Sequence, residues 1–217
     1  MKKTIVGLLL SAVCCFAGEF DPKTFILHDG AVVENDVLKL DGKKAYAAVP
    51  GTENIMIAAP GVTFACAVKP ASDARKGAGS RIMDSYFSRA EAPFTICRWG
   101  GLISTRIQDK RTQKYNIERA YGIPRAGVWS HLAFVLAPLK DKKDSWHFSF
   151  YVNGKKVHDK TVDNFQPFSG KGVIELGKGW GGAWMFSGEM SSVFAEQKAL
   201  SAAEISELMQ KSRAARK

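Results

Sequence analysis

An all-β sandwich of two antiparallel sheets, closed by one short carboxyl-terminal helix, is the fold class that this 217-residue sequence predicts. Three observations predict it. Apolar and polar residues alternate with the period of two that turns one face of a strand inward, as in Val62, Phe64, Cys66 and Val68 against Thr63, Ala65, Ala67 and Lys69. Turn signals recur about every ten residues, the spacing of a sandwich or barrel. No strand-helix-strand alternation occurs, and the one helical pattern is terminal. With 46% hydrophobic and 24% charged residues the chain can bury a sizeable core, and 20 Gly with only 8 Pro exclude the collagen-like and low-complexity classes.

The elements follow in order. Met1, Lys2 and Lys3 precede an apolar run over residues 5–13, and Cys15 and Ala17 are small residues where a signal peptidase reads, so residues 1–17 are expected to be a secretory signal peptide. That run is shorter than the roughly 20 apolar residues of a membrane-spanning helix. The residues before Cys14 and Cys15 do not match the Leu-small-small-Cys pattern of a lipid-anchored protein. Residues 18–210 are then expected to form one domain and residues 211–217 a basic tail. Residues 31–40 and 45–49 read as a pair of strands around Asp41-Gly42. Residues 62–68 form the alternating strand above, ended by Pro70, and the small and charged residues 71–80 form a loop. Residues 81–87, 93–99, 102–108 and 113–117 are short strands. Residues 128–136 and 146–152 are clearer ones, and Asn153-Gly154 joins the second to residues 155–162, because both turn positions need a positive φ that Asn and Gly tolerate. Residues 173–176 and 187–195 are the last strands. Ser201 and Glu204 form a capping box, after which Ile205, Leu208 and Met209 line one side of a helix, with Lys211, Arg213, Arg216 and Lys217 at its far end.

Loss of the leader leaves Cys66 and Cys97. An oxidising compartment could join them in a disulfide, and two separate buried thiols fit the sequence equally well. Lys and Arg number 31 against 21 Asp and Glu, a formal charge of +10 that falls to +8 without the two leader lysines. The basic residues are scattered, the pattern of a solvated surface, and nucleic acid is not an expected partner of an exported chain.

A family pattern runs through the same segments. Asp29-Gly30, Leu38-Lys39-Leu40-Asp41-Gly42 and Ala45-Tyr46 stand at the start, Trp129-Ser130-His131-Leu132-Ala133 and Phe150-Tyr151-Val152-Asn153-Gly154-Lys155 in the middle. Ile174-Glu175-Leu176-Gly177, Phe186-Ser187-Gly188-Glu189-Met190 and Ala199-Leu200-Ser201-Ala202-Ala203-Glu204-Ile205 close it. In this order and spacing, over residues 28–208, the chain resembles the laminin G-like family of the concanavalin A-like lectin and glucanase superfamily. The resemblance implies a jelly-roll sandwich. Many relatives also hold a structural calcium through acidic residues of the closing strand. Ser191 and Ser192 stand in those positions here, so the carboxylates that calcium prefers are missing, calcium is left with backbone and hydroxyl oxygens as its possible ligands, and no other cofactor is expected.

Glycanases of that superfamily carry a Glu-x-Asp-x-Glu strand that sets paired carboxylates on one sheet face, and no such strand occurs in this sequence. Glu175 is isolated between Ile174 and Leu176, and Glu34-Asn35-Asp36 lies at a loop edge. Gly-x-Ser-x-Gly, His-Glu-x-x-His and the phosphate-binding Gly-rich pattern are absent, and His28, His131, His147 and His158 are far apart. His131, with the strand parity of Ala133 and Val135, reads as a core histidine. No catalytic or metal-ligating residue is therefore assigned. The candidate ligand-binding residues are Trp180 and Trp184, set among glycines in residues 178–184, and Arg98-Trp99 before Gly100-Gly101; flat indole faces cover sugar rings or anchor partners. Trp184 also fits entry into the core beside Phe186. Arg81, Arg89 and Arg106 are possible neighbours of the Arg98-Trp99 pair.

These readings point to an exported, non-catalytic recognition domain, in the periplasm, on the cell surface or secreted, that binds a glycan or a protein partner through rim loops. Two alternatives remain. One is a polysaccharide-degrading enzyme, hydrolase or lyase, whose acid and base pair carries no recognisable sequence pattern; the other is a structural component of an envelope assembly.

Overall fold

The structure is a computed structural model, and it describes residues 17–53, 55, 57, 60–71, 80–86, 94–99, 102–120, 124–167, 172–179 and 184–214. Its strands are β1 (Ala17–Glu19), β2 (Ile26–His28), β3 (Val32–Glu34), β4 (Val37–Asp41), β5 (Tyr46–Val49), β6 (Val62–Pro70), β7 (Ser80–Tyr86), β8 (Phe94–Trp99), β9 (Leu102–Gln108), β10 (Tyr115–Ala120), β11 (Ser130–Pro138), β12 (Trp146–Val152), β13 (Lys155–Val162), β14 (Val173–Leu176) and β15 (Ser187–Glu196). Helix α1 (Ala202–Ala214) follows.

The strands form two antiparallel sheets. The first runs β13-β12-β11-β6-β15-β4-β3, with β1 also beside β15; the second runs β10-β9-β8-β7-β14-β5-β2. Chain neighbours repeatedly fall in different sheets, which is what a jelly roll requires. The alternation seen in the sequence then sorts side chains by face. Val62, Phe64, Cys66 and Val68 of β6 face the inter-sheet core together with Phe134, Phe148 and Phe150 of the first sheet and Met83, Phe94, Ile96 and Ile107 of the second. Phe64 and Phe94 stack across the two layers at 4.1 Å between ring centroids. The opposite face of β6 is also buried, because Ala65 packs with Ala133, Val135, Tyr151 and Phe194 against Leu200 and Ile205. Helix α1 thus covers the outer face of the first sheet. It starts as its sequence signals: the Ser201 N–H donates to Glu204 Oε2 at 2.7 Å, and the Glu204 N–H donates back to Ser201 Oγ at 3.3 Å.

Several expectations change. The strand at 31–40 is two strands, β3 and β4, paired through a turn at Asn35 and Asp36, which both adopt φ near +50° to +60°. β4 and β5 do not pair with each other; Asp41 accepts three backbone N–H groups, from Lys43, Lys44 and Ala45, and its turn carries the chain from the first sheet to the second. Helix α1 continues past residue 210 to Ala214, with Ser212 buried, so the start of the expected tail is helical. Ala17, the last residue of the expected leader, pairs with Glu196 in β1, while residues 1–16 lie outside the described residues. No helix among the described residues is long and apolar enough to cross a membrane.

The bridge between Cys66 and Cys97 is not formed, and both are free, buried thiols. The reason is parity. Cys66 faces the inter-sheet core, whereas Cys97 lies on the other side of β8 from the core residues Phe94 and Ile96. Burial pushes the Cys66 thiol up to about 12 and raises that of Cys97 as well. At one side of the sandwich the sheets are clasped by Glu118 of β10. Its carboxylate accepts from Lys160 Nζ at 2.8 Å and Asn116 Nδ2 at 3.0 Å and lies 3.0 Å from His158 Nε2, so that β10 and β13 are tied across the layers.

Candidate functional site

α1 lies over the outer face of the first sheet, and the outer face of the second sheet carries an array of polar and charged side chains of its own. Strand register places one row across all seven strands of that face: Ile26, Ala48, Glu175, Asp84, Thr95, Arg106 and Ile117 are successive cross-strand partners. Exposed isoleucines end the row, and acidic, hydroxyl and guanidinium groups fill its middle. Beside it runs a second row in which Arg81, Cys97, Ser104 and Arg119 are partners.

Arg81 joins the two rows. Its Nη1 donates to Asp84 Oδ2 at 2.9 Å and to Thr95 Oγ1 at 2.7 Å, and the Thr95 hydroxyl donates on to Asp84 Oδ1 at 3.1 Å. All three are buried. Burial pushes the Asp84 carboxyl up to about 6, with Arg81 and the Thr95 hydrogen bond pulling the other way, Glu175 adding to the rise and Arg106 opposing it. Glu175 accepts from Lys178 Nζ at 2.6 Å, and Lys178 lies 4.3 Å from the centroid of the Tyr46 ring, itself stacked on His28 at 4.3 Å. The ammonium of Lys178 is raised by the hydrogen bond and charge of Glu175 in spite of the lowering effect of burial.

Trp184 stands at the margin of this array. The Arg81 N–H donates to the Trp184 carbonyl at 2.8 Å, and the Arg81 guanidinium carbon lies 6.0 Å from the indole centroid. Its backbone φ is +62°, a left-handed conformation that a bulky residue seldom takes, and 38% of the residue remains exposed. The reading that Trp184 enters the core is therefore corrected. Phe186 alone does so, anchored by its N–H to the Gly177 carbonyl, while the left-handed turn at Trp184 swings the indole outward.

The other expected residues are placed as follows. Trp180 and Arg89 lie outside the described residues. Trp99 ends β8 with its backbone paired to Leu102, and its side chain is outside the described part. Arg98 lies opposite Ile103 on the core-facing parity of β8, away from Arg81, and its Nη1 is buried with no hydrogen-bond partner. Arg106 does approach Arg81, since both act on Asp84 and Cys97. Ser191 and Ser192 are buried at an irregularity of β15, and among the described residues no group of three or more His, Cys, Asp or Glu side chains gathers as metal ligands do. His131 is buried on the α1 side of β11, where its N–H donates to Asn153 Oδ1 at 2.9 Å.

Sequence reasoning missed Asp84 and the partnership of Asp84 with Glu175. Two carboxylates facing each other on adjacent strands are the raw material of glycoside hydrolysis. Here each is already bound to a cation, and Asp84 is buried with both oxygens engaged. Such groups orient Arg81 and Lys178.

Solved structures share this fold at low identity. The botulinum neurotoxin serotype D binding domain superposes with a TM-score of 0.68 at 12% identity, over 91% of this chain and 51% of that one. The binding domain of Paraclostridial Mosquitocidal Protein 1 gives 0.67 at 14% identity, over 86% and 47%. A botulinum neurotoxin serotype D ligand binding domain in complex with N-acetylneuraminic acid gives 0.65 at 13%, over 86% and 45%. The chain thus spans about half the length of these structures. No curated protein matches it. A laminin G family model, described as the concanavalin A-like lectin/glucanases superfamily, matches residues 41–206. With that match over most of its length and two antiparallel sheets packed as a jelly roll, the chain belongs to the concanavalin A-like lectin/glucanase superfamily.

Proposed function

We propose that this protein is an exported, non-catalytic recognition domain that binds a glycan on the outer face of the second sheet, at the rim where Trp184 meets Arg81. The observation that carries the reading is Trp184 itself. A large aromatic residue held at φ +62° with over a third of its surface exposed is costly in both backbone strain and apolar exposure, and such strain is kept where a side chain must be presented. A flat indole beside a fixed guanidinium is suited to stack on a sugar ring while hydrogen bonds orient it. The complex of N-acetylneuraminic acid with a protein of this fold supports the reading.

The test is a glycan array followed by titration of the best oligosaccharide. Trp184→Ala is expected to weaken binding at least tenfold while the circular dichroism spectrum stays unchanged; unaltered affinity removes this face from the site. A second reading, polysaccharide cleavage, has the Asp84 and Glu175 partnership in its favour. Because both carboxylates are occupied, no new reducing ends are expected on prolonged incubation with the bound oligosaccharide, and their appearance, lost in Asp84→Asn, would install the enzyme in place of the lectin. Export predicts a mature amino terminus at Gly18, read by mass spectrometry of the protein recovered outside the cytoplasm.

A further inference from the structure

The two lateral edges of the sandwich complement each other, and we propose that they join successive copies of this chain head to tail, with β10 of one copy against β2 of the next. One edge is formed by β2 and β3 and the other by β10 and β13, and among the described residues no strand lies beyond any of them. Edge strands offer a row of backbone N–H and C=O groups to an incoming strand. Apolar exposure is concentrated in the same places. Among the described residues seven large apolar side chains stand exposed, and five of them are on these edges: Ile26, Leu27 and Val32 on one, Tyr115 and Ile117 on the other.

Charge divides the same way. Residues 19–39, which contain β2 and β3, carry five carboxylates against two lysines, a net charge of −3. Lys23 and Lys39 are paired within that edge, to Asp36 and Glu34. Residues 109–120 and 155–163, which contain β10 and β13, carry seven Lys and Arg against four carboxylates, a net charge of +3. All seven of those cations are exposed, whereas Asp109 and Glu118 are buried. Two acidic edges repel, as do two basic ones, so an edge is steered away from its own copy and toward the unlike edge. Strand direction allows it. Every neighbouring pair in the seven-stranded sheet is antiparallel, so its first and last strands, β10 and β2, run the same way. A copy set alongside without inversion pairs them in parallel, and the outer-face row that ends in Ile26 and Ile117 carries on from one copy into the next. Arg81 is on β7, the middle strand of the seven, so the contact leaves the Trp184 margin uncovered. A contact between unlike edges repeats on each new copy and grows past a dimer, as a ring or a filament.

Sedimentation velocity over a hundredfold range of protein concentration tests the contact. At an ionic strength of about 0.01 M, where the screening length is ~30 Å, the average mass is expected to rise past twice that of the monomer; at about 0.1 M, where it is ~10 Å, the mass is expected to fall at least halfway back. Ile26→Lys sets a cation against the basic edge, and Ile117→Lys removes the apolar contact from the other side. Both positions are exposed, so the circular dichroism spectrum should not change. Each variant alone is expected to stay monomeric. Mixed in equal amounts, they are expected to form a dimer and nothing larger, because one pair of native edges remains between them. A native protein that is monomeric throughout overturns the proposal, and so does a mixture that stays monomeric. An Ile26→Lys variant that associates as the native protein does also overturns it, since that is the outcome of a symmetric β10 contact. No glycan is present in these runs, so failure here leaves glycan recognition standing.

Discussion

Asp84 and Asp159 sit on outer faces of opposite sheets, and their carboxyl groups are pushed in opposite directions. At Asp159 burial is outweighed by hydrogen bonds from Ser149, Lys156 and His147, at 2.7, 3.1 and 2.7 Å, and the carboxyl is held down to about 2. Its contribution to stability is present above the ordinary value of 3.8 and is lost as pH falls through about 2. At Asp84 burial prevails and the carboxyl is raised to about 6, so the charged form costs folding energy. That cost is absent below 3.8 and complete above about 6, which means that Asp84 makes the fold more stable as pH falls through that window. Melting temperatures measured against pH check both signs. Asp84→Asn is expected to remove a rise in stability between about pH 6 and 4, and Asp159→Asn to flatten the loss between about pH 4 and 2. The contribution of Asp159 is small, because its side chain is 44% exposed and solvent screens it. Cys66, raised to about 12, has almost no thiolate at neutral pH, so it should resist a thiol reagent until the protein is unfolded.

Elements were legible where local chemistry alone decides them. β9, β12 and β13 have the boundaries read from alternation, and the Asn153-Gly154 turn adopts φ values of +51° and +77°, the pair that its sequence demands. The capping box of α1 was equally plain. What the pattern could not reveal is which strand pairs with which. Asp41-Gly42 looks like a hairpin turn between β4 and β5, yet β4 finds β15 and β5 finds β14, choices made by apolar faces distant in the chain. The double burial of β6 was hidden for the same reason, since its small outward residue Ala65 makes sense only once Leu200 and Ile205 lie against it. Ile205 is fully buried at the centre of that contact, and Ile205→Ala is expected to cost about 2–5 kcal/mol in a urea titration. Gly188 is another such position. It has φ +143°, and a Cβ there would sit 2.4 Å from the Lys69 carbonyl oxygen and 2.9 Å from Pro70 Cα, so Gly188→Ala should destabilise by at least about 1–3 kcal/mol.

Across the whole molecule, the candidate site is a product of topology. Glu175 seemed isolated and Asp84 unremarkable until β14 came to lie between β7 and β5, and the sequence carries no local mark of that placement. Trp184 was visible as a tryptophan near glycines, but its outward turn depends on Arg81 from a distant strand. The Glu118 clasp is likewise a long-range feature: its side chain is 6% exposed and its partners His158 and Lys160 come from the other sheet. Glu118→Ala is expected to lower stability by about 1–3 kcal/mol, with a double-mutant cycle against Lys160 returning a nonzero coupling. The position of α1 has a practical consequence. Because the helix backs the first sheet and ends the described chain on that side, a tether attached after it would leave from behind the sandwich. Captured on a sensor chip by its carboxyl end, the molecule would turn the Trp184 margin toward the flow, whereas random coupling through surface lysines would also modify Lys178 and blunt the response.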